Sequence, residues 1–189
     1  MNIEVQIFLG LLPVSFIVQL LIAKFILRKK GARLSGSSPI NKYIFYISKY
    51  SVILVWTGMI LEIMNISIGY SFPKNIFSIY SGVGCWIGGF VLLHIGRFSL
   101  GQSFRIGVSN EKELFIASGI YKISRNPMYV GLYATIIGFM IYSLNVIYVI
   151  FSVFIIIVHH IITLNEEKQL LKRYGKTYTE YCRKVRRYI

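Results

Sequence analysis

Two adjacent carboxylates, Glu166 and Glu167, close a long apolar run, and a basic-polar turn, Arg125-Asn126-Pro127, opens another. Asn followed by Pro suits a helix start, with Asn as N-cap and Pro at the first helical position. Free N–H groups at such a start attract an anion such as a carboxylate, and Arg125 beside it can reinforce that with a bidentate contact. The carboxylates suit a cationic group of a ligand. The same acids also fit the first turn of a new helix, where they favour the macrodipole. His159 and His160 are adjacent, about 100 degrees apart on a helix, and make a poor metal pair. His94 stands alone near the end of a third apolar run, and no metal site is expected.

These groups sit in a chain of 189 residues of which 55% are hydrophobic and 15% charged. An ordinary soluble domain is about a quarter charged. The reading is an all-α, polytopic membrane helical bundle. Spanning a bilayer takes about 20 mostly apolar residues. The candidates are Ile3 to Leu27, Ile44 to Ile66, Ile76 to Gly96, and the longer stretch Met128 to Leu164. Ser143-Leu144-Asn145 interrupts the last, giving two short helices and five transmembrane helices in all. The first run lacks a basic n-region and a small-residue cleavage site, so it is expected to remain as a membrane helix.

All seven acids are Glu, against 21 Lys and Arg. The basic residues number seven from Lys24 to Lys49, one (Lys74) in the second connection, five from Arg97 to Arg125, none at 143–145 and eight from Lys168 to Arg187. That alternation is what the positive-inside bias demands of five spans. It places the N-terminus outside and the C-terminus in the cytoplasm, and explains the basic charge without nucleic acid. Glu62, a lone acid in the second run, is expected near the outer interface, where snorkelling is cheap. Cys85 and Cys182 lie in opposite environments and are not expected to pair.

Beyond Glu167 the chain continues as a cytoplasmic amphipathic helical tail. Gly175 suits a helix end, and Thr177 with Glu180 fits a capping box for a further short helix. Leu171, Tyr174, Tyr178, Tyr181 and Val185 recur at helical spacing, as an apolar stripe against the membrane or over the cytoplasmic face of the bundle. Arg183, Lys184, Arg186 and Arg187 are placed to meet anionic headgroups of membrane lipids.

The stretch ELFIASGIYKISRNPMYVGLY, a helical hairpin, and then NEEKQLLKRYGKTYTEYCRKV resemble the isoprenylcysteine carboxyl methyltransferase family and its phospholipid methyltransferase relatives. Matching positions are Gly119 and Tyr121; Arg125, Pro127, Tyr129 and Gly131; and Glu166, Glu167, Leu170, Gly175, Tyr178 and Tyr181. Residues 1–96 carry no such signature, whereas 97–189 form the family-like core of the single membrane domain. The resemblance implies a membrane methyltransferase using S-adenosyl-L-methionine at the cytosolic face, with a lipidic or small-molecule acceptor. Carried over by position, the cofactor-binding residues are Leu114, Phe115, Ile116, Tyr121, Arg125, Asn126, Pro127, Met128, Tyr129 and Glu166. Tyr121 and Tyr129 would face adenine or the sulfonium, since an aromatic face favours a cation.

Two positions depart from the family. Asn126 stands where the family has His, and Ile162 stands where the prenylcysteine enzymes have an arginine for the substrate carboxylate. The second departure speaks against a prenylcysteine acceptor. The tail also resembles membrane sterol reductases, with a Lys-Tyr-Gly…Tyr-Cys pattern like that at 172–182, which would imply NADPH. A scaffold that keeps the fold without catalysis is the third reading.

Overall fold

The structure is a computed structural model, and it describes residues 3–29, 38, 40–101 and 115–189. The described residues are helical throughout, with isolated bridges in place of strands. Four helices are long and apolar enough to cross a membrane: α1 (Ile3–Lys29), α2 (Lys42–Ile63), α3 (Ile76–Leu100) and α5 (Val146–Tyr174). Between the last two lies the shorter apolar helix α4 (Pro127–Ser143), of 17 residues. Among the described residues a short 3-10 helix (Gly119–Lys122) precedes α4, and α6 (Lys176–Lys184) follows α5.

The break expected at 143–145 is present, and its chemistry is local. Leu144 adopts a left-handed conformation (φ 47°) that ends α4. Asn145 then caps α5, its Oδ1 accepting from the N–H groups of Ile147 at 3.0 Å and Tyr148 at 3.2 Å. Its Nδ2 donates to the Ile68 carbonyl (2.9 Å) and to Ser71 Oγ (3.0 Å). A fully buried amide is thereby satisfied on both sides, and the connection after α2 is tied to the α4–α5 turn.

α3 and α4 form the tightest contact, an antiparallel pair built on glycine. A Cβ on Gly89 would lie 2.7 Å from the Gly131 carbonyl oxygen, and a Cβ on Gly131 would lie 2.7 Å from that of Gly89. Seven residues away the relation repeats, with Gly138 against Gly82. Small residues let membrane helices approach backbone to backbone, where van der Waals packing replaces the missing hydrophobic drive. The core around this seam contains Trp56, Trp86, Phe90, Ile136 and Phe139.

α1 joins through fewer, more polar contacts. Pro13 lacks the N–H that would bond the Leu9 carbonyl. That freed carbonyl accepts from Trp86 Nε1 at 3.2 Å. His94 of α3 meets Gln19 Oε1 (2.8 Å) and Ser15 Oγ (3.1 Å) of α1. Apolar residues such as Leu11, Leu21 and Phe25 remain on its outer face, as expected of a surface turned to lipid.

Glu62 sits at the end of α2 but does not snorkel as expected. It is fully buried, and Oε2 accepts from Lys74 Nζ at 2.7 Å and Ser67 Oγ at 3.1 Å. The connection after α2 folds back over the bundle and carries its one lysine onto the acid. A paired carboxylate tolerates burial that an isolated one does not.

Candidate active site

The sequence around the α4 start folds as expected in backbone but not in side chains. Asn126 occupies the N-cap position and the buried Pro127 follows it, yet the Asn126 side chain makes no capping bond. Its Nδ2 donates instead to Glu167 Oε1 (2.8 Å) and to the Arg187 carbonyl (3.2 Å). The first-turn N–H groups of α4 therefore lack the capping oxygen that an N-cap asparagine ordinarily offers.

Glu167 is the hub of this end of the bundle. Besides Asn126, it accepts from Arg187 Nε at 3.0 Å and lies 3.6 Å from Arg125 Nε. Arg125 Nη1 also donates to Cys182 Sγ at 2.6 Å, and its backbone N–H donates to the Arg186 carbonyl at 2.9 Å. Burial works against the Arg125 charge, but the Glu167 carboxylate and then Cys182 outweigh it and hold its pKa above the ordinary arginine value. Arg125 thus ties the tail down through Nη1 and its backbone N–H, and Glu167 is paired with arginines.

No new helix begins at Asn165-Glu166-Glu167. α5 runs through them to Tyr174, with Asn165 Nδ2 donating back to the Ile161 carbonyl at 2.8 Å. Consecutive residues on one helix point about 100 degrees apart, so the two carboxylates serve different neighbourhoods. Half-buried Glu166 accepts from the Tyr129 hydroxyl at 3.0 Å through Oε2. The Tyr129 ring lies 6.3 Å from His159 and 6.3 Å from Tyr133.

The expected tail stripe does turn inward. Tyr178 and Val185 are buried, and Phe115 packs on Tyr174 (5.1 Å), Tyr178 (5.9 Å) and Tyr181 (5.2 Å between ring centroids). Leu171, by contrast, is exposed. Tyr181 Oη donates to the Tyr121 carbonyl at 2.6 Å, and buried Tyr121 Oη reaches the Gly96 carbonyl at 3.5 Å. Burial raises the pKa of Tyr121 and pushes that of Tyr181 up to about 12, so both hydroxyls keep their protons near neutral pH. The proposed capping box at Thr177 does not form: Gly175, at φ 52°, both ends α5 and starts α6, without a side-chain cap.

The candidate residues therefore separate into groups. Arg125 and Asn126 join Glu167; Tyr129 joins Glu166; Phe115 and Tyr121 join the α6 tyrosines. Met128 faces the other way, against Gly96 and the apolar cluster of Ala23 and Leu27. Ile116 is half-buried beside Phe115 in the chain, and Leu114 lies outside the described residues. Sequence reasoning missed Tyr133 and Tyr188, and named Cys182 and His160 without seating them at this end of the bundle. Of the two missed, only Tyr133 carried a signal, four residues beyond Tyr129 and so on the same helical face.

The sequence matches the family model described as phospholipid methyltransferase over residues 77–177. No curated protein and no solved structure matches the chain. The matched stretch covers more than half of the 189 residues and takes in α3, the glycine seam, the Arg125–Tyr129 turn and the Glu166-Glu167 pair. With several apolar helices of membrane-crossing length around that core, the chain is a multi-pass membrane protein belonging to the phospholipid methyltransferase family.

Proposed function

We propose that this is a five-span membrane enzyme that uses S-adenosyl-L-methionine to methylate a lipidic acceptor at the cytosolic face. The observation that carries the reading is the Tyr129–Glu166 pair beside an α4 N-terminus that Asn126 leaves uncapped. The cofactor presents an ammonium, ribose hydroxyls and a carboxylate. The Glu166 carboxylate suits the first two, and uncapped N–H groups of Met128 and Tyr129 suit the third. The residues present thus fit the group.

Arg125 acts from behind that turn, fixing it to the tail and adding positive charge. Phe115, Ile116 and Tyr121 supply the apolar and aromatic wall. When bound, the cofactor supplies an electrophilic methyl group on a sulfonium. The protein's own part is alignment and exclusion of water, and alignment alone is worth several kcal/mol of barrier.

With 17 residues, α4 is about 25 Å long, and tilting or local thinning lets so short a helix span. Five spans also bring the open end of α4, the end of α5 and the basic tail to the side favoured by the positive charges. The acceptor reading favours an amine-bearing phospholipid. Ile162 is buried in the bundle, so the arginine that would hold a prenylcysteine carboxylate is replaced by core packing. Membrane lipids are then both solvent and substrate.

Calorimetry of S-adenosyl-L-methionine binding in detergent tests the reading. Wild-type protein should bind saturably. Glu166→Ala should weaken binding by about 10- to 100-fold, the worth of one hydrogen bond to a charged group. A well-folded wild type that ignores this cofactor but binds NADPH would hand the reading to the reductases.

A further inference from the structure

One cluster of titratable groups near the proposed site takes no part in the Glu167 knot. Tyr188, in the segment after α6, inserts beside α4 and α5. Its hydroxyl lies 2.7 Å from His160 Nδ1 and 3.4 Å from the Tyr133 hydroxyl. The Tyr188 ring packs against both partners, at 5.6 Å from Tyr133 and 5.9 Å from His160. Tyr133 is one helical turn beyond Tyr129, ring to ring at 6.3 Å. Tyr133, Tyr188 and His160 thus form one hydrogen-bonded file, which meets the Tyr129–Glu166 pair through the Tyr129–Tyr133 ring contact on α4.

We propose that Tyr133, Tyr188 and His160 are a proton-uptake relay for an ammonium-bearing acceptor, an inference that rests on the methyltransferase reading above. An aliphatic amine holds its proton at neutral pH, as lysine does with a pKa near ~10.4, and so lacks the lone pair needed to accept a methyl group. The proton must go to the protein. Neighbouring groups are committed elsewhere: His159 bonds Ser48 and the Ile155 carbonyl, Glu166 holds Tyr129 and is assigned above to the cofactor, and Glu167 holds the arginines.

The file has a direction when His160 carries its hydrogen on Nε2. Tyr188 donates its hydrogen to His160 Nδ1, and its oxygen accepts from Tyr133. Thr163 also bonds the Tyr133 hydroxyl, and the oxygen's second lone pair is left for a substrate N–H. Proton uptake breaks the ammonium N–H bond and gives that hydrogen to Tyr133 Oη. The Tyr133 hydrogen moves to Tyr188 Oη and the Tyr188 hydrogen to His160 Nδ1. The amine gains a free lone pair, both tyrosines end neutral, and His160 ends as imidazolium. Its positive charge is that lost by the amine, so charge balances, and release to interfacial water resets the ring.

Tyr188→Phe keeps the ring contacts and removes only the hydroxyl. With an ethanolamine phospholipid in mixed micelles, kcat should fall on the order of 100-fold, the usual scale of general acid–base assistance. KM for the lipid and the dissociation constant for S-adenosyl-L-methionine should stay put. Independently of turnover, 15N-histidine NMR should show His160 Nδ1 unprotonated and accepting a hydrogen bond, with its resonance displaced in Tyr188→Phe. The His160→Asn variant assigns the signal among the three histidines. A protonated Nδ1 in the resting protein would overturn the relay, and so would an unchanged kcat. If the protein binds S-adenosyl-L-methionine yet methylates only acid or thiol lipids, the relay falls and the methyltransferase reading stands.

Discussion

Replacing Glu167 with alanine should destabilise the protein by about 3–5 kcal/mol, the usual cost of removing one member of a buried ion pair. The carboxylate serves Asn126, Arg187 and, at longer range, Arg125. Without it, two guanidiniums and an amide lose a shared acceptor. The loss should fall toward the lower end, because the Arg187 side chain is 38% exposed and rehydrates. Glu167→Gln should cost less, since an amide oxygen still accepts one bond. Thermal unfolding in detergent measures the effect. In a double-mutant cycle, Arg187→Ala should add little once Glu167 is gone, because the two share one interaction. A Glu167→Ala protein within about 1 kcal/mol of wild type would mean that the knot is ornamental.

The second large effect is expected at the glycine seam. Gly131→Leu would drive a side chain into the backbone of α3, with the Gly89 carbonyl 2.7 Å and the Leu93 N–H 2.9 Å from the first added carbon. Overpacking commonly costs 1–3 kcal/mol, occasionally more, and here the obstacle is backbone, which cannot rotate aside. A shift of at least ~3 kcal/mol, seen as lost expression or a much lower unfolding temperature, is the expected result. Gly88→Ala is the control, since nothing lies within 4 Å of its added carbon. It should be neutral or gain up to about 1 kcal/mol in helix propensity. If the two variants behave alike, the close approach of α3 and α4 is wrong.

Much of the architecture was legible because lipid solvent leaves a coarse signature. Apolar runs gave the helices to within a few residues, and Ser143-Leu144-Asn145 marked its own turn through capping chemistry confined to three residues. Side-chain partnerships were not legible in the same way. Arg125 and Glu167 were placed at one end by local reasoning, but their mutual commitment depends on Arg187, 20 residues beyond Glu167 in sequence. Asn126 looked like a cap because local geometry permits capping; a buried carboxylate from α5 outbid the helix for its amide. Glu62 looked solvent-reaching because Lys74 is 12 residues away and nothing local says that the connection folds back over it. The boundary between the two acids could not be read either, since only the continuity of α5 sends Glu166 and Glu167 to different neighbours.

The knot also has a consequence for biosynthesis. The glycine seam joins consecutive helices, and the Glu62–Lys74 pair closes over a short connection, so both can form as soon as their segments leave the ribosome. Chains emerge N-terminal end first, at about 5–20 residues per second. Glu167, however, waits for Arg187, and Arg125 and Asn126 wait for the backbone of Arg186 and Arg187. A nascent chain therefore has a nearly complete bundle before the polar end is fastened. A chain whose synthesis stops before Arg186 would lack the partners that fasten Glu167, Arg125 and Asn126.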